Sequence, residues 1–223
     1  SNVEPKPSIK LFGPEGSKEK MNNLFKASFF DNSLELEITE INAKIPKKIL
    51  DGSEFEVYSV NMTHQVPCVA YSFIEKDTWN ISITKAAKKG LKEGPIIGKI
   101  LRNGKIKIKN KLVKLEEVAS LKKGKKITII LDTSLNNNCV NLAKNSSLLI
   151  TESTYHSDLE EKARKHMHLT SKDAAMIASQ SNSKKLCLTH FSQRYKSVSK
   201  LEKESKLFFK NTIIAKDFSS IKL

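Results

Sequence analysis

The pattern of apolar and polar residues divides the chain into two kinds of strand. Before residue 75, residues 34–41 alternate apolar and acidic positions, as a half-exposed strand does. After Gly124 the runs are continuously apolar, which indicates buried strands. The strands predicted in this way are residues 9–12, 34–41, 54–62, 66–74, 127–131, 147–151, 186–189 and 212–215.

Helical spacing separates the apolar strands in the second half of the chain. Helices are predicted over residues 15–25, 85–91, 136–143, 159–167, 174–179 and 198–209. Thr170, with Asp173 three residues later, has the pattern of a helix cap. Repeated strand and helix units imply an α/β fold with a largely parallel or mixed sheet that is covered by helices.

A basic segment interrupts this pattern. Residues 85–126 contain fifteen Lys and Arg residues but three acidic ones, which gives +12 of the chain's net charge of +15. Asn103-Gly104 lies between alternating apolar and basic residues, which predicts a hairpin. Lys105, Lys107 and Lys109 would share one face of it, and Ile106 and Ile108 the other. A solvated edge hairpin is one interpretation. The local imbalance favours an arm that binds the phosphates of a nucleic acid.

The composition suits one large domain, or one domain with an appendage, in 223 residues of which 39% are hydrophobic. No apolar run approaches the roughly 18 residues of a membrane span, and no signal-like segment is present. Because the chain starts Ser-Asn without Met, a tag remnant or a cut chain is expected. Cys139 and Cys187 lie in apolar patterns and are predicted to be core thiols, which fits a reducing cytoplasm.

Ligand-type side chains follow three predicted strands. Asp132, His190 and His64 lie at strand ends, where open α/β sheets place their active sites. A carboxylate and imidazoles suit zinc, and a bridging Asp can hold two ions. Glu152 and His168 are candidates for proton transfer nearby. His166 and His168 also form a metal-like pair, but the cap signal that follows favours a structural role for the pair.

Short motifs along nearly the whole chain resemble the tRNase Z family, tRNA 3′-processing endoribonucleases of the metallo-β-lactamase superfamily. They occur in the family's order. The matching pieces are IKLFGPEG at 9–16, the strand pair around Thr63-His64, Gly94-Pro95 with its basic hairpin, ILDT ending at Thr133, TEST at 151–154, His168-Leu-Thr170, THFSQRY at 189–195 and AKDF at 215–218.

The resemblance implies a role for each strand-end residue. His64 would bind one Zn²⁺ and His190 a second, with Asp132 bridging both. His168, helped by Glu152, would be the catalytic histidine. The substrate would be precursor tRNA, and the location cytoplasmic with no membrane association.

The resemblance also implies an RNA-binding arm. Residues 77–122 would form an inserted basic exosite that protrudes, grips the tRNA and typically reaches across a homodimer. Within it, Lys85 to Lys114 surround Gly94-Pro95. The RNA-binding residues implied are Gly94, Pro95, Lys99, Arg102, Lys105, Lys107 and Lys109 on the arm, and Ser192 and Arg194 in the loop that faces substrate phosphate.

The sequence departs from the family in one respect. The family's His-x-His-x-Asp-His signature, which supplies most zinc ligands, is absent from these 223 residues. Residues 1–223 are therefore expected to form the larger, C-terminal part of a metallo-β-lactamase αββα sandwich, inactive as given. Two alternatives stay open: another phosphodiesterase or a sulfatase of the same fold, and a non-catalytic RNA-binding fragment.

Overall fold

A computed structural model describes residues 8–27 and 35–223. The chain divides into two compact units. One comprises residues up to 74 together with 126–223, and the other comprises residues 75–125. None of the helices in the described residues is long and apolar enough to cross a membrane.

The strands, numbered in chain order, are β1 (Ser8–Pro14), β2 (Glu35–Ile41), β3 (Lys47–Asp51), β4 (Phe55–Met62), β5 (Cys68–Glu75), β6 (Thr78–Ile81), β7 (Lys105–Ile108), β8 (Lys111–Lys114), β9 (Ala119–Lys122), β10 (Lys126–Ile130), β11 (Leu148–Glu152), β12 (Leu186–Thr189) and β13 (Thr212–Ile214). The helices are α1 (Ser17–Lys26), α2 (Ile83–Lys88), α3 (Pro95–Asn103), α4 (Leu115–Val118), α5 (Asn137–Ala143), α6 (Glu160–Lys165), α7 (Ser171–Gln180) and α8 (Ser199–Phe208). Position 34, which the sequence places in the second strand, lies outside the described residues.

One seven-stranded sheet organises the larger unit, in the order β13-β12-β11-β10-β5-β4-β3. The strands from β10 to β13 run parallel to one another, and β5 pairs antiparallel with β10. The sheet is therefore mixed, as the alternating strand and helix pattern predicts. Its parallel part brings the carboxyl ends of β10, β11 and β12 to one edge.

The core of the larger unit lies on one face of this sheet. Helices α5 and α7 contribute apolar side chains such as Leu142 and Ile177, which pack with Val60, Leu149 and Leu188 of the strands. All five are essentially buried. Because alternate strand residues point to opposite faces, this face is set by the apolar positions themselves.

A second core lies within the unit of residues 75–125. Ile100 of α3, Val113 of β8 and Val118 of α4 are buried together, and Ile106 and Ile108 of β7 pack against them. Lys105 and Lys107 alternate with these isoleucines and are exposed, as the alternation predicts.

The hairpin predicted at Asn103-Gly104 is wrong. Asn103 ends α3, and Gly104 caps it in the left-handed conformation with its N–H donating to the carbonyl of Ile100. Gly104 thus serves a helix end, which uses the same positive φ as a hairpin turn. The hairpin is one element later, between β7 and β8, and turns at Lys109 (φ 42°) and Asn110 (φ 66°). Lys109 therefore lies in the turn and does not share the strand face of Lys105 and Lys107.

Candidate metal centre

Three polar residues meet at the carboxyl edge of the parallel strands. Asp132 follows β10, Glu152 is the last residue of β11, and His190 follows β12. The edge is held together by backbone hydrogen bonds, since the N–H of Ser153 donates to the carbonyl of Thr189 at 2.9 Å. Parallel pairing thus places side chains together that are far apart in sequence.

The loop after β4 brings His64 to the same edge. The N–H of Ser134 donates to the carbonyl of Thr63 at 2.7 Å, and the N–H of Thr63 donates to Oγ1 of Thr133 at 3.2 Å. His64 Nδ1 lies 3.0 Å from the carbonyl oxygen of Met167. Because a carbonyl only accepts, Nδ1 is the donor in this contact, and in the neutral ring Nε2 keeps its lone pair. A metal-binding histidine commonly makes this second hydrogen bond.

His168 lies between α6 and α7, and the start of α7 fixes its position. Thr170 Oγ1 accepts from the N–H of Asp173 at 3.1 Å, while the Asp173 carboxylate accepts from the N–H of Thr170 at 2.9 Å. This capping box begins the helix three residues after His168. The ring of His168 lies 5.0 Å from that of His64 and 5.4 Å from that of His190, centroid to centroid.

A fully buried carboxylate, Glu152, anchors the cluster. It accepts from the N–H of Thr133 at 2.8 Å and from the hydroxyl of Thr154 at 2.5 Å. Nδ1 of His168 lies 3.1 Å from both carboxylate oxygens. The carboxylate thus holds a proton on Nδ1 of His168 and leaves Nε2 for the site.

Nε2 of His190 and Oδ1 of Asp132 face each other in a geometry that a cation would stabilise. The hydroxyl proton of Thr154 goes to Glu152, so Thr154 Oγ1 accepts from Nδ1 of His190 at 3.0 Å. In the neutral ring Nε2 of His190 then carries no proton, and it lies 3.0 Å from Oδ1 of Asp132. That buried oxygen makes no hydrogen bond within the described part of the chain. Two facing lone pairs repel unless a proton or a metal ion lies between them, so the donor set fits a metal.

Three candidate ligands are close enough to share an ion. One atom each from Asp132, His168 and His190 lies within 4.8 Å of the others, in the only such group among the described residues. His64 lies beside this group through its ring contact with His168 and is not part of it. His166 is exposed and also outside it, so the His166 and His168 pair is split.

The backbone at this edge is held in an uncommon conformation. Asp132 and His190 have φ values of 33° and 53°, in the left-handed region that non-glycine residues rarely adopt. Residues held in such conformations cluster at functional sites, because the surrounding structure must offset the strain. A sequence pattern carries no signal for this feature.

The cysteines contribute no ligand to the cluster. Cys139 and Cys187 are buried, as predicted. Burial raises the pKa of the Cys139 thiol to about 11 and also raises that of Cys187, which keeps both protonated. Cys68 is half-buried, and burial followed by the Asp132 charge raises its pKa.

The loop after β12 carries Ser192 and Arg194. The N–H of Ser192 donates to the carbonyl of Thr154 at 3.1 Å, which ties this loop to the residues after β11. Nε of the exposed Arg194 donates to Oγ of Ser192 at 3.0 Å. Thr154 and the Met167 carbonyl cannot be identified as site groups from the sequence, because neither a lone threonine nor a main-chain oxygen marks a site.

The fold is that of the metallo-β-lactamase class. The structure superposes on human tRNase Z, short form, with a TM-score of 0.63 at 21% identity, covering 98% of this chain and 69% of that one. It also superposes on the metallo-β-lactamase fold protein YhfI of Bacillus subtilis with a TM-score of 0.58 at 17% identity, covering 94% of this chain and 63% of that one. The predicted fold class is confirmed.

Sequence comparison gives the family. The chain is 32% identical to Ribonuclease Z of Streptococcus pyogenes serotype M1 over 225 residues, covering 98% of this chain and 72% of that protein. It is also 32% identical to Ribonuclease Z of Protochlamydia amoebophila over 167 residues, 75% of this chain and 54% of that protein. No family model matches. The chain belongs to the ribonuclease Z family, and it spans about half to three quarters of the length of these relatives.

Proposed function

We propose that the chain is part of a zinc-dependent endoribonuclease that removes the 3′ trailer from precursor tRNA. The observation that carries the proposal is the meeting of Asp132, His190, His168 and Glu152 at one sheet edge. Membership of the ribonuclease Z family supports the substrate. Another phosphodiesterase of this fold could use the same edge, but the basic unit of residues 75–125 favours a nucleic acid.

Zinc would be held by His190 and Asp132, with His64 as ligand of a second ion and Asp132 between the two. The hydrogen bonds to Nδ1 of His64 and Nδ1 of His190 both leave Nε2 as the ligand atom. When bound, zinc lowers the pKa of a coordinated water to about 7 and stabilises the developing charge on phosphoryl oxygens.

His168 supplies the proton for the leaving 3′-oxygen of the ribose. Its Nδ1 is held by Glu152, so the proton is delivered from Nε2. The buried carboxylate stabilises the imidazolium form before transfer and keeps the ring oriented afterwards. Thr154 and the N–H of Thr133 hold Glu152 in turn, so the donor is fixed before substrate binds.

The arm of residues 77–122 binds the tRNA backbone. Lys105 lies directly opposite Lys114 in the β7–β8 hairpin, and like charges in that position destabilise a sheet unless an anion neutralises them. Lys99 and Arg102 are exposed on α3. This helix begins at Pro95, after Gly94 with φ 122°. Phosphates are the expected partners, because lysines contact the backbone without reading bases. In the proposed enzyme the arm of one subunit would reach across a homodimer and bind the tRNA at the other subunit.

Catalysis needs more ligands than this cluster offers. Zinc in catalytic sites takes about three protein ligands per ion, whereas His64, Asp132 and His190 would supply three donors for two ions. We propose that a His-x-His-x-Asp-His segment completes the site. Without it, the chain would act as an RNA-binding fragment, the second candidate function, which the charge of the arm supports.

One experiment tests both functions. Cleavage of a 3′-extended tRNA is measured with zinc added, using the 223-residue chain and the same chain joined to a His-x-His-x-Asp-His segment from a family member. We expect the joined chain to remove the trailer and to lose this activity when EDTA is added, and we expect the 223-residue chain to bind RNA without cleaving it. Cleavage by the 223-residue chain would contradict the argument from the number of zinc ligands, and no cleavage by either chain would contradict the proposed endoribonuclease function.

A further inference from the structure

Tyr155 occupies the junction between the proton donor and the phosphate-facing loop. Its ring meets the His168 ring edge-on at 6.2 Å between centroids. The guanidinium carbon of Arg194 lies 5.1 Å from the centroid of the same ring. One aromatic side chain therefore contacts both a candidate catalytic group and a candidate phosphate-binding group.

The backbone holds Tyr155 rigidly. Its N–H donates to the carbonyl of Leu169 at 3.3 Å, and its carbonyl accepts from the N–H of Ser171 at 2.8 Å. These bonds join Tyr155 to the segment that carries His168, and the side chain is 7% exposed. Because two backbone hydrogen bonds fix the main chain of Tyr155 and burial restricts its side chain, the ring offers its neighbours a fixed surface.

Arg194, by contrast, is exposed and depends on its contacts for orientation. Its Nε donates to Oγ of Ser192, and its guanidinium carbon lies over the face of the Tyr155 ring. A guanidinium over an aromatic face is attracted by the ring quadrupole, and its outward N–H groups stay free to form a fork on phosphate. An arginine that is held in this way loses less conformational freedom on binding a phosphate.

We propose that Tyr155 is a positioning residue, which holds the Arg194 guanidinium beside His168 so that both meet one phosphate of the RNA. The proposal rests on the proposed function. It assigns the aromatic ring of Tyr155, and not its hydroxyl, as the working group. Tyr155 itself contacts no reacting atom.

A double-mutant cycle in the 223-residue chain tests the proposal by measuring the affinity for a 3′-extended tRNA. Tyr155→Leu removes the ring, Tyr155→Phe keeps it, and Arg194→Ala removes the partner. We expect Tyr155→Leu to weaken binding by about 3- to 30-fold, the range of a partly desolvated cation–π contact, and Tyr155→Phe to bind like the parent chain. In the Arg194→Ala background, Tyr155→Leu should have no further effect.

A merely structural role gives a different result. If Tyr155→Leu weakened binding equally with and without Arg194, or if it changed nothing, the proposal would be overturned. Should Tyr155→Leu fail to fold, as judged by its thermal unfolding, Arg194→Lys replaces it in the test. That exposed substitution keeps the charge but loses the planar stacking, and unchanged binding would overturn the proposal.

A second readout separates this proposal from the proposed function. The NMR signal of Arg194 Nε–Hε should be shifted by the ring current in the parent chain and in Tyr155→Phe, and should move in Tyr155→Leu. If the parent chain binds no tRNA while this signal behaves as expected, the proposed RNA function is contradicted and the contact between Arg194 and the Tyr155 ring is supported. An Arg194 signal that does not respond to removal of the ring would contradict the contact itself.

Discussion

The strand-end cluster and the basic unit differ in what their function requires. In the cluster, Glu152 has no exposed surface, and its carboxylate accepts from the N–H of Thr133 at 2.8 Å and lies 3.1 Å from Nδ1 of His168. In the unit of residues 75–125, the lysines of the β7–β8 hairpin are exposed. Proton transfer and metal binding depend on distances of tenths of an ångström, whereas attraction to a polyanion depends on the number and density of charges.

This difference predicts that substitutions in the two regions change different measurements. Changes in the cluster should lower the rate of cleavage and leave RNA affinity nearly intact. Changes in the basic unit should lower affinity and leave the rate at saturating RNA nearly intact. A cluster variant that loses RNA binding would contradict this separation of roles. So would a variant of the basic unit that loses cleavage rate at saturating RNA.

The largest effect is expected for His168. In the chain joined to a His-x-His-x-Asp-His segment, His168→Ala should lower the single-turnover rate of trailer cleavage by about 10²- to 10⁴-fold, because the leaving oxygen loses its proton donor. Glu152→Gln should cost about 10- to 100-fold through misorientation of His168.

The control for this prediction is His166→Ala, two residues away and exposed, which should cleave like the parent chain. Zinc content, measured by atomic emission, should be unchanged in His168→Ala. Loss of zinc together with the rate would make His168 a ligand, which its place beside Asp132 and His190 also permits.

A smaller effect is expected for the arm. Lys105→Glu with Lys107→Glu should weaken tRNA binding about tenfold near physiological salt and reduce the slope of log affinity against log salt by about 2. The measurement is a filter-binding titration at several salt concentrations.

Lys20→Glu with Lys203→Glu makes the same change of charge on exposed residues of α1 and α8 and is the matched control. Its effect on affinity should be clearly smaller. Equal loss in both pairs would show that net charge alone attracts the RNA and that the hairpin has no special part.

The sequence predicts the strands and the residues at their ends better than the basic segment. Continuous apolar runs such as β11 can only be buried, and the polar residue that follows each run marks the sheet edge. The segment at Asn103-Gly104 is ambiguous, because a helix C-cap and a hairpin turn both use a residue with positive φ. Packing of Ile100 against Val113 and Val118 decides for the helix, and such long-range contacts are not local in sequence.

The candidate site shows the same limit. Asp132, His190 and His64 can be selected by residue type and position, and their spatial meeting follows from parallel pairing. The tautomer of His190 cannot be predicted, since it depends on Thr154, a residue 36 positions away that gives its own proton to Glu152. Hydrogen-bond direction is a property of the assembled network.

The smallest expected effect concerns Asp173, which starts α7 beside His168. Burial acts to raise the pKa of this carboxyl, but hydrogen bonds from Arg164 and Thr170 outweigh it and hold the pKa below the usual 3.8. A lowered folded-state pKa stabilises the fold above the unfolded-state value, and this stabilisation is lost as pH falls through the lowered pKa. Asp173→Asn should therefore cost about 1 kcal/mol near pH 7, reduced from the value for a buried pair because Arg164 is 37% exposed.

Urea unfolding from pH 7 down to pH 3 measures this cost. The difference in unfolding free energy between Asp173→Asn and the parent chain should shrink below pH 4, since the carboxyl that distinguishes them becomes protonated. Glu161→Gln, an exposed change on α6, should show little difference at any pH. A pH-independent cost would mean that the Thr170 cap geometry, rather than the charge of Asp173, holds the start of α7 and with it the position of His168.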